Sequence, residues 1–127
     1  MTQVKLEHVN VTVANLQETA DWMTYIFGWD IRWQGPSING GKSAHVGGAD
    51  SYIAIYQPPT APVPAANSYG MLSGLNHIAV VVDDLDAVEA RVKRAGFTTG
   101  SHADYEPGRR FYFDATDGIE VEVVQYD

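Results

Sequence analysis

Two histidines occupy the same place in a phrase that the chain uses twice. Leu6-Glu7-His8-Val9-Asn10-Val11-Thr12-Val13 and Leu75-Asn76-His77-Ile78-Ala79-Val80-Val81-Val82 share the pattern Leu-x-His-[Val/Ile]-x-Val-x-Val at an offset of 69. The correspondence runs on to Leu16 and Leu85, and then to Gly28 and Gly96 at an offset of 68. Such self-similarity marks an internal duplication. A single strand histidine ordinarily hydrogen-bonds to a neighbour and does nothing more. Two equivalent imidazoles, one from each copy of a module, suit a divalent metal held where the copies face each other.

The elements that must carry these histidines are legible around them. Residues 6 to 13 alternate, with Val9, Val11 and Val13 on one face and His8, Asn10 and Thr12 on the other, the pattern of a half-buried strand. Leu16, Ala20, Met23 and Phe27 then fall at helical spacing, with Asn15 placed to cap the start and Gly28 to make the left-handed exit. The second copy predicts a strand at 76–82, Asp83 or Asp84 as cap, a stripe of Leu85, Val88, Val92 and Ala95, and Gly96 as terminator. Lys93 and Arg94 near its end suit the helix dipole. Three strand-like stretches follow each helix, near 29–35, 42–47 and 51–57 and near 97–102, 109–115 and 119–126, separated by glycine punctuation. Each half therefore reads strand, helix, and three strands: a first module at 1–57, a proline- and glycine-rich connector at 58–74, and a second module at 75–127. Four of the six prolines lie in that connector and make it semi-rigid.

Composition narrows the function. A chain of 127 residues with 45% hydrophobic content fits one compact domain with its own core, or two small half-domains that share one. A formal charge of −8 with only eight Lys and Arg argues against nucleic acid or an anionic membrane as partner. The absence of cysteine removes disulfides and thiolate-held metals. The opening Met1-Thr2-Gln3-Val4-Lys5 lacks a leader pattern and no apolar run approaches membrane-spanning length, so a cytoplasmic protein is expected.

Two βαβββ modules in so short a chain, each opening on a strand histidine, resemble the vicinal oxygen chelate superfamily, which includes glyoxalase I, epimerases, bleomycin-resistance proteins and extradiol dioxygenases. The resemblance implies an α+β fold in which paired modules form a curved, open mixed sheet around a cup, with helices outside. It also implies metal ligands on the first and last strands of each module. The last strands here are Tyr52-Ile53-Ala54-Ile55-Tyr56-Gln57 and Glu120-Val121-Glu122-Val123-Val124-Gln125, and the offset of 68 sets Gln57 on Gln125 and Ala54 on Glu122. The implied ligand set is His8, His77 and Glu122, with Glu120 as fallback. Two histidines and one carboxylate favour Fe(II), then Mn(II), with Ni(II) or Zn(II) possible.

That set is similar to the one used by the extradiol branch. Gly100-Ser101-His102, Phe111-Tyr112 and Glu122, ten residues past the tyrosine, also resemble the extradiol signature, which makes Tyr112 and His102 candidate catalytic residues. The interval from His102 to Tyr112 is one residue longer than in that signature. The acid/base histidine that the branch places near the start of the first module's last strand has no counterpart in Asp50-Ser51-Tyr52-Ile53, and Tyr52 is the candidate there. Asn10, Thr12, Tyr56 and Arg110 are expected to line the cup and bind substrate, Arg110 by pairing with a carboxylate or enolate. His45 aligns at offset 68 with Phe113 and is expected to face outward. The expected activity is a metal-dependent, extradiol-like reaction on a small substrate with two adjacent oxygens, such as a catechol. A glyoxalase-like lyase or isomerase and a non-catalytic, antibiotic-binding resistance protein are the alternatives. Exposed sheet edges make a homodimer the expected assembly.

Overall fold

The computed structural model describes residues 3–127. Met1 and Thr2, with which the expected first module begins, lie outside the described residues. Two compact units divide the chain at Met1–Val63 and Pro64–Asp127, a boundary inside the proline-rich connector. Each unit holds one helix and one four-stranded mixed sheet, so the expected tandem βαβββ organisation and α+β class are present.

In the first unit, β1 (His8–Thr12) leads to α1 (Leu16–Phe27), then β2 (Asp30–Pro36), β3 (Lys42–Gly47) and β4 (Tyr52–Gln57), with sheet order β1-β4-β3-β2. β1 runs parallel to β4, and the other pairings are antiparallel. Asn15 caps α1 as expected, its side chain accepting from the Glu18 amide at 2.9 Å, and Gly28 leaves the helix at φ 70°. Ala20, Met23 and Ile26 of α1 are buried on Ala44, Val46, Ile53 and Ile55 of the sheet.

The second unit repeats this with β5 (Ile78–Val81), α2 (Leu85–Arg94), β6 (Thr99–Tyr105), β7 (Gly108–Asp114) and β8 (Glu120–Tyr126), in order β5-β8-β7-β6. Of the two candidate caps for α2, Asp84 is used, accepting from the Ala87 amide at 3.1 Å. The sixth strand begins later than the sequence predicts, at Thr99, because Phe97 still belongs to the helix exit: its amide bonds back to the Val92 carbonyl at 3.2 Å. Leu85, Val88 and Val92 of α2 are buried, as are Phe111, Phe113, Val121 and Val123 on one face of the sheet.

One detail shows how closely the copies repeat. The Gln57 side-chain oxygen accepts the Leu16 amide at 2.8 Å, and the Gln125 oxygen accepts the Leu85 amide, also at 2.8 Å. In both units the last strand therefore satisfies an amide at the helix start that has no partner within its own helix.

The copies differ in one place that moves a functional side chain. Gly47 pairs with Tyr52 in the first sheet and Asp114 with Glu120 in the second. The stretch from β3 to β4 is thus one residue shorter than that from β7 to β8, and the offset falls to 67 before that loop. His45 consequently corresponds to Tyr112, and its register partner Ala54 to Glu122. The expectation that His45 faces outward is corrected: it shares a face with Tyr52, Ala54 and Trp33. A one-residue change of register carries a strand side chain to the opposite face.

Candidate functional site

In the first unit, register places His8 beside Tyr52, Asn10 beside Ala54 and Thr12 beside Tyr56, all on the face turned away from α1. His8 points its Nδ1 at the Glu7 carboxylate, 2.9 Å away, and the Tyr52 hydroxyl donates to the same oxygen at 3.2 Å. These two bonds from His8 and Tyr52 hold the Glu7 carboxyl below its usual range. The rings of His8 and His45 stack on Tyr52 at 4.8 and 4.5 Å, Trp33 lies 5.1 Å from His45, and the Arg32 guanidinium sits 4.6 Å from the Tyr52 ring centre. Burial, then the neighbouring His8 and Arg32 charges, lowers the His45 pKa, while burial and the Glu7 charge raise that of Tyr52. Tyr52 is therefore a proton donor rather than a base. Tyr56 spends its hydroxyl on the Ile38 carbonyl at 2.9 Å, and Asn10 and Thr12 remain exposed on the same face.

The second unit brings together the densest cluster. His77 stands one residue before β5, where the register continues to Glu120. Its Nδ1 lies 3.4 Å from Glu120 and 3.3 Å from the Tyr69 hydroxyl, which itself donates to Glu120. Its Nε2 faces Glu122 Oε1 at 3.3 Å. The other oxygen of Glu122 receives Arg110 Nη1 at 2.8 Å, and both side chains are buried, at 7% exposure for Arg110 and 8% for Glu122. Tyr112, paired across the ladder with Glu122, presents its ring edge-on to His77 at 5.7 Å. Burial, reinforced by a hydrogen bond to Glu122 and its negative charge, pushes Tyr112 up to about 12. It keeps its proton throughout the physiological range. A groove of about 480 Å³ beside it is lined by Gly100, Tyr112, Asp114 and Glu120.

Two expected site residues are engaged by other groups of the protein. Arg110 directs its guanidinium to Glu122 and to backbone carbonyls. Besides Glu122 it donates to the carbonyls of Tyr105, Glu106 and Gly108 at 2.8, 3.2 and 3.1 Å and lies 3.9 Å from the Tyr105 ring centre. A buried guanidinium needs such acceptors, and Arg110 is accordingly a clamp on Glu122. His102 is carried away from Tyr112 by a bulge: Gly100 pairs with Tyr112 but Ala103 with Arg110, and Ser101 adopts φ 51°. His102 falls on the side of Phe111, where its Nε2 meets Glu89 of α2 at 2.7 Å. The extra residue between His102 and Tyr112 is thus absorbed in the bulge.

Among the described residues, no group of three or more His, Asp or Glu side chains is placed to hold a metal ion. The donor chemistry of the pairs nonetheless fits one. Two ligands about 2.1 Å from a metal and at right angles are about 3 Å apart, close to the 3.3 Å between His77 Nε2 and Glu122 Oε1. Each histidine directs Nδ1 to a carboxylate, the outer contact that characteristically orients a metal-binding imidazole and leaves Nε2 as the ligand atom. Sequence reasoning did not find Tyr69, which lies in the connector without periodicity, or Trp33.

Two βαβββ units, each with a histidine at the head of its first strand, define a duplicated small-molecule fold. The chain belongs to the Glyoxalase/Bleomycin resistance protein/Dioxygenase superfamily, whose sequence profile matches residues 5–123. Among solved structures it is similar to a glyoxylase/bleomycin resistance protein/dioxygenase domain from Frankia sp. EAN1pec, with 22% identity, a TM-score of 0.83, and 99% of this chain and 100% of that one covered. TnmS3, an antibiotic binding protein from Streptomyces sp. CB03234, is 22% identical with a TM-score of 0.77 over 100% and 99%. A variant of the fosfomycin resistance protein FosX from Listeria monocytogenes, complexed with Mn(II) and 1S,2S-dihydroxypropylphosphonic acid, is 20% identical with a TM-score of 0.70 over 97% and 93%. No curated protein matches the sequence.

Proposed function

We propose that this protein is a divalent-metal-dependent enzyme acting on a small substrate with two adjacent oxygens, with ring-opening of a catechol as the reaction its ligand types suit best. The observation that carries this reading is the facing of His77 Nε2 and Glu122 Oε1 at 3.3 Å, with each group's remaining polar atom already committed. His77 and Glu122 would hold the metal, with His8 as the third donor expected from the duplicated sequence, in a homodimer or within one chain. Fe(II) or Mn(II) would act as a Lewis acid that binds both substrate oxygens and draws off their charge. A FosX variant of similar fold is complexed with Mn(II) and a compound bearing two neighbouring hydroxyls, which supports a metal and such a substrate as occupants of this site.

The chain's own residues divide the remaining work. Arg110 fixes one Glu122 oxygen so that the other is presented singly. Tyr112, protonated and beside both Glu122 and His77, would turn its one O–H from Glu122 to a substrate oxygen as that oxygen gains charge. Ala54, in register with Asn10 and His45, leaves the first unit without the carboxylate that a glyoxalase-like proton transfer would use.

The test is metal content of protein purified anaerobically without a tag, compared with His77→Ala and Glu122→Gln, followed by oxygen uptake with catechols. Near-stoichiometric iron or manganese, lost in both variants, with oxygen consumption is the expected result. Anaerobic turnover of a hemithioacetal would instead select the lyase or isomerase reading. A protein that takes up neither Fe(II), Mn(II), Ni(II) nor Zn(II) refutes the enzyme.

A second reading has its own observation. The ribbon of His8, Tyr52, His45 and half-exposed Trp33 offers a flat aromatic surface, and TnmS3 binds an antibiotic on a similar fold. Tight binding of an aromatic ligand by the metal-free protein, seen as quenching of Trp fluorescence, would select this sequestering role.

A further inference from the structure

We propose that Tyr69, from the connector, is a positioning residue that fixes the tautomer of His77 and thereby couples the connector to metal binding; the inference rests on the metal reading above. A phenol has one proton to donate, and an ionised carboxylate has none. The Tyr69 hydroxyl donates its one hydrogen bond to Glu120. Its oxygen is then only an acceptor toward His77 Nδ1, 3.3 Å away, and Glu120, 3.4 Å from the same nitrogen, is an acceptor as well. Both neighbours of Nδ1 require an N–H there.

A neutral imidazole with its proton on Nδ1 has a bare lone pair on Nε2. That lone pair faces Glu122 Oε1 at 3.3 Å, and the Glu122 carboxylate is turned so that its other oxygen accepts a hydrogen bond from Arg110 Nη1. Without Tyr69 and Glu120, His77 would do better to carry its proton on Nε2 and donate it to Glu122, closing the position a cation would use. Two lone pairs held face to face are favourable only with a cation between them. Tyr69 thus holds the ligand-ready form of His77.

The location of Tyr69 extends the consequence. Tyr69 sits in the short 3₁₀ turn Ser68–Gly70 and is exposed, as are Met71 and Leu72 beyond it. The Tyr69 hydroxyl ties this turn to Glu120 on β8 and to His77 just before β5. Any gain in metal affinity that Tyr69 supplies must return as stabilisation of the connector when metal binds, because linkage is reciprocal.

The experiment uses the full chain, wild type and Tyr69→Phe, at pH 8, above the ordinary histidine range near ~6.5. Long-range proton–nitrogen NMR reads the His77 tautomer in metal-free protein, and Mn(II) titration followed by loss of the free-ion EPR signal reads affinity. Expected are an Nδ1–H His77 in wild type, a shift toward Nε2–H in Tyr69→Phe, and Mn(II) affinity about 10–100-fold weaker in the variant. A purely structural role would change thermal stability and leave the tautomer alone. An unchanged tautomer with unchanged Mn(II) affinity, or a wild-type His77 protonated on both nitrogens, overturns the proposal while leaving the metal reading standing. Failure of wild type to bind Mn(II) or Fe(II) overturns the metal reading, and this proposal with it.

Discussion

Removing Glu122 from metal-free protein tests whether Arg110 is a clamp or a ligand-binding residue. Arg110 Nη1 and Glu122 Oε2 lie 2.8 Å apart, and the two residues are 7% and 8% exposed. Glu122→Ala leaves Nη1 facing an empty, poorly solvated space, beside an Nε that already lacks a partner. Breaking a buried pair from one side costs about 3–5 kcal/mol, because the remaining charge is uncompensated. Against a total stability of about 5–15 kcal/mol this is a large fraction. At the roughly 4 °C per kcal/mol expected for a chain of this size, the melting temperature should fall by on the order of 10–20 °C. Glu122→Gln keeps an acceptor for Nη1 and should cost only about 1 kcal/mol. The assay is urea and thermal unfolding followed by far-UV circular dichroism in EDTA, so that no metal contributes. A metal ligand whose carboxylate merely lined an open pocket would be neutral or stabilising to remove from the apo protein. Unfolding of Glu122→Ala within about 1 kcal/mol of wild type would refute the clamp and return Arg110 to the list of groups free to meet a substrate.

Other outcomes follow from the same geometry. Gln57→Leu and Gln125→Leu each strip one amide at a helix start of its acceptor, and each should cost about 1 kcal/mol in denaturant unfolding; unequal costs would show that the two units do not use the contact alike. Tyr112→Phe should lower kcat about 10²–10³-fold with metal content unchanged, and the wild-type pH profile should show no limb from Tyr112 below pH 10, since its pKa is pushed up to about 12. Glu89 has its pKa lowered: burial opposes the shift, but hydrogen bonds from Thr99 and His102 outweigh it. A depressed folded-state pKa stabilises above the unfolded value and loses that effect as pH falls through the folded one. Glu89→Gln should therefore flatten the acid limb of stability below about pH 4.5, the ordinary value, and leave neutral-pH activity unaltered. His102→Ala should leave turnover within about twofold of wild type, because His102 lies with Phe111 and Glu89, on the far side of the sheet from Tyr112.

Much of this protein was determined locally and so was readable in its sequence. The duplicated phrase, the alternation around His8, the helical stripes, Asn15 and Asp84 as caps and Gly28 as exit all depend on side chains within a few residues of one another, and the chain spells them out. Pairing His77 with the strand that carries Glu122 followed from aligning the two copies. What tertiary structure alone decided were matters of register and partnership. A loop shorter by one residue turned His45 from the expected outer face to the face of His8, since strand side chains alternate and a slip of one reverses them. A bulge at Ser101 did the same to His102. Arg110 became a clamp because burial obliges a guanidinium to find acceptors, and those came from the Tyr105–Gly108 turn and from β8. Tyr69, in a connector with no periodic pattern, acquired its partners only when folding brought the connector against β8.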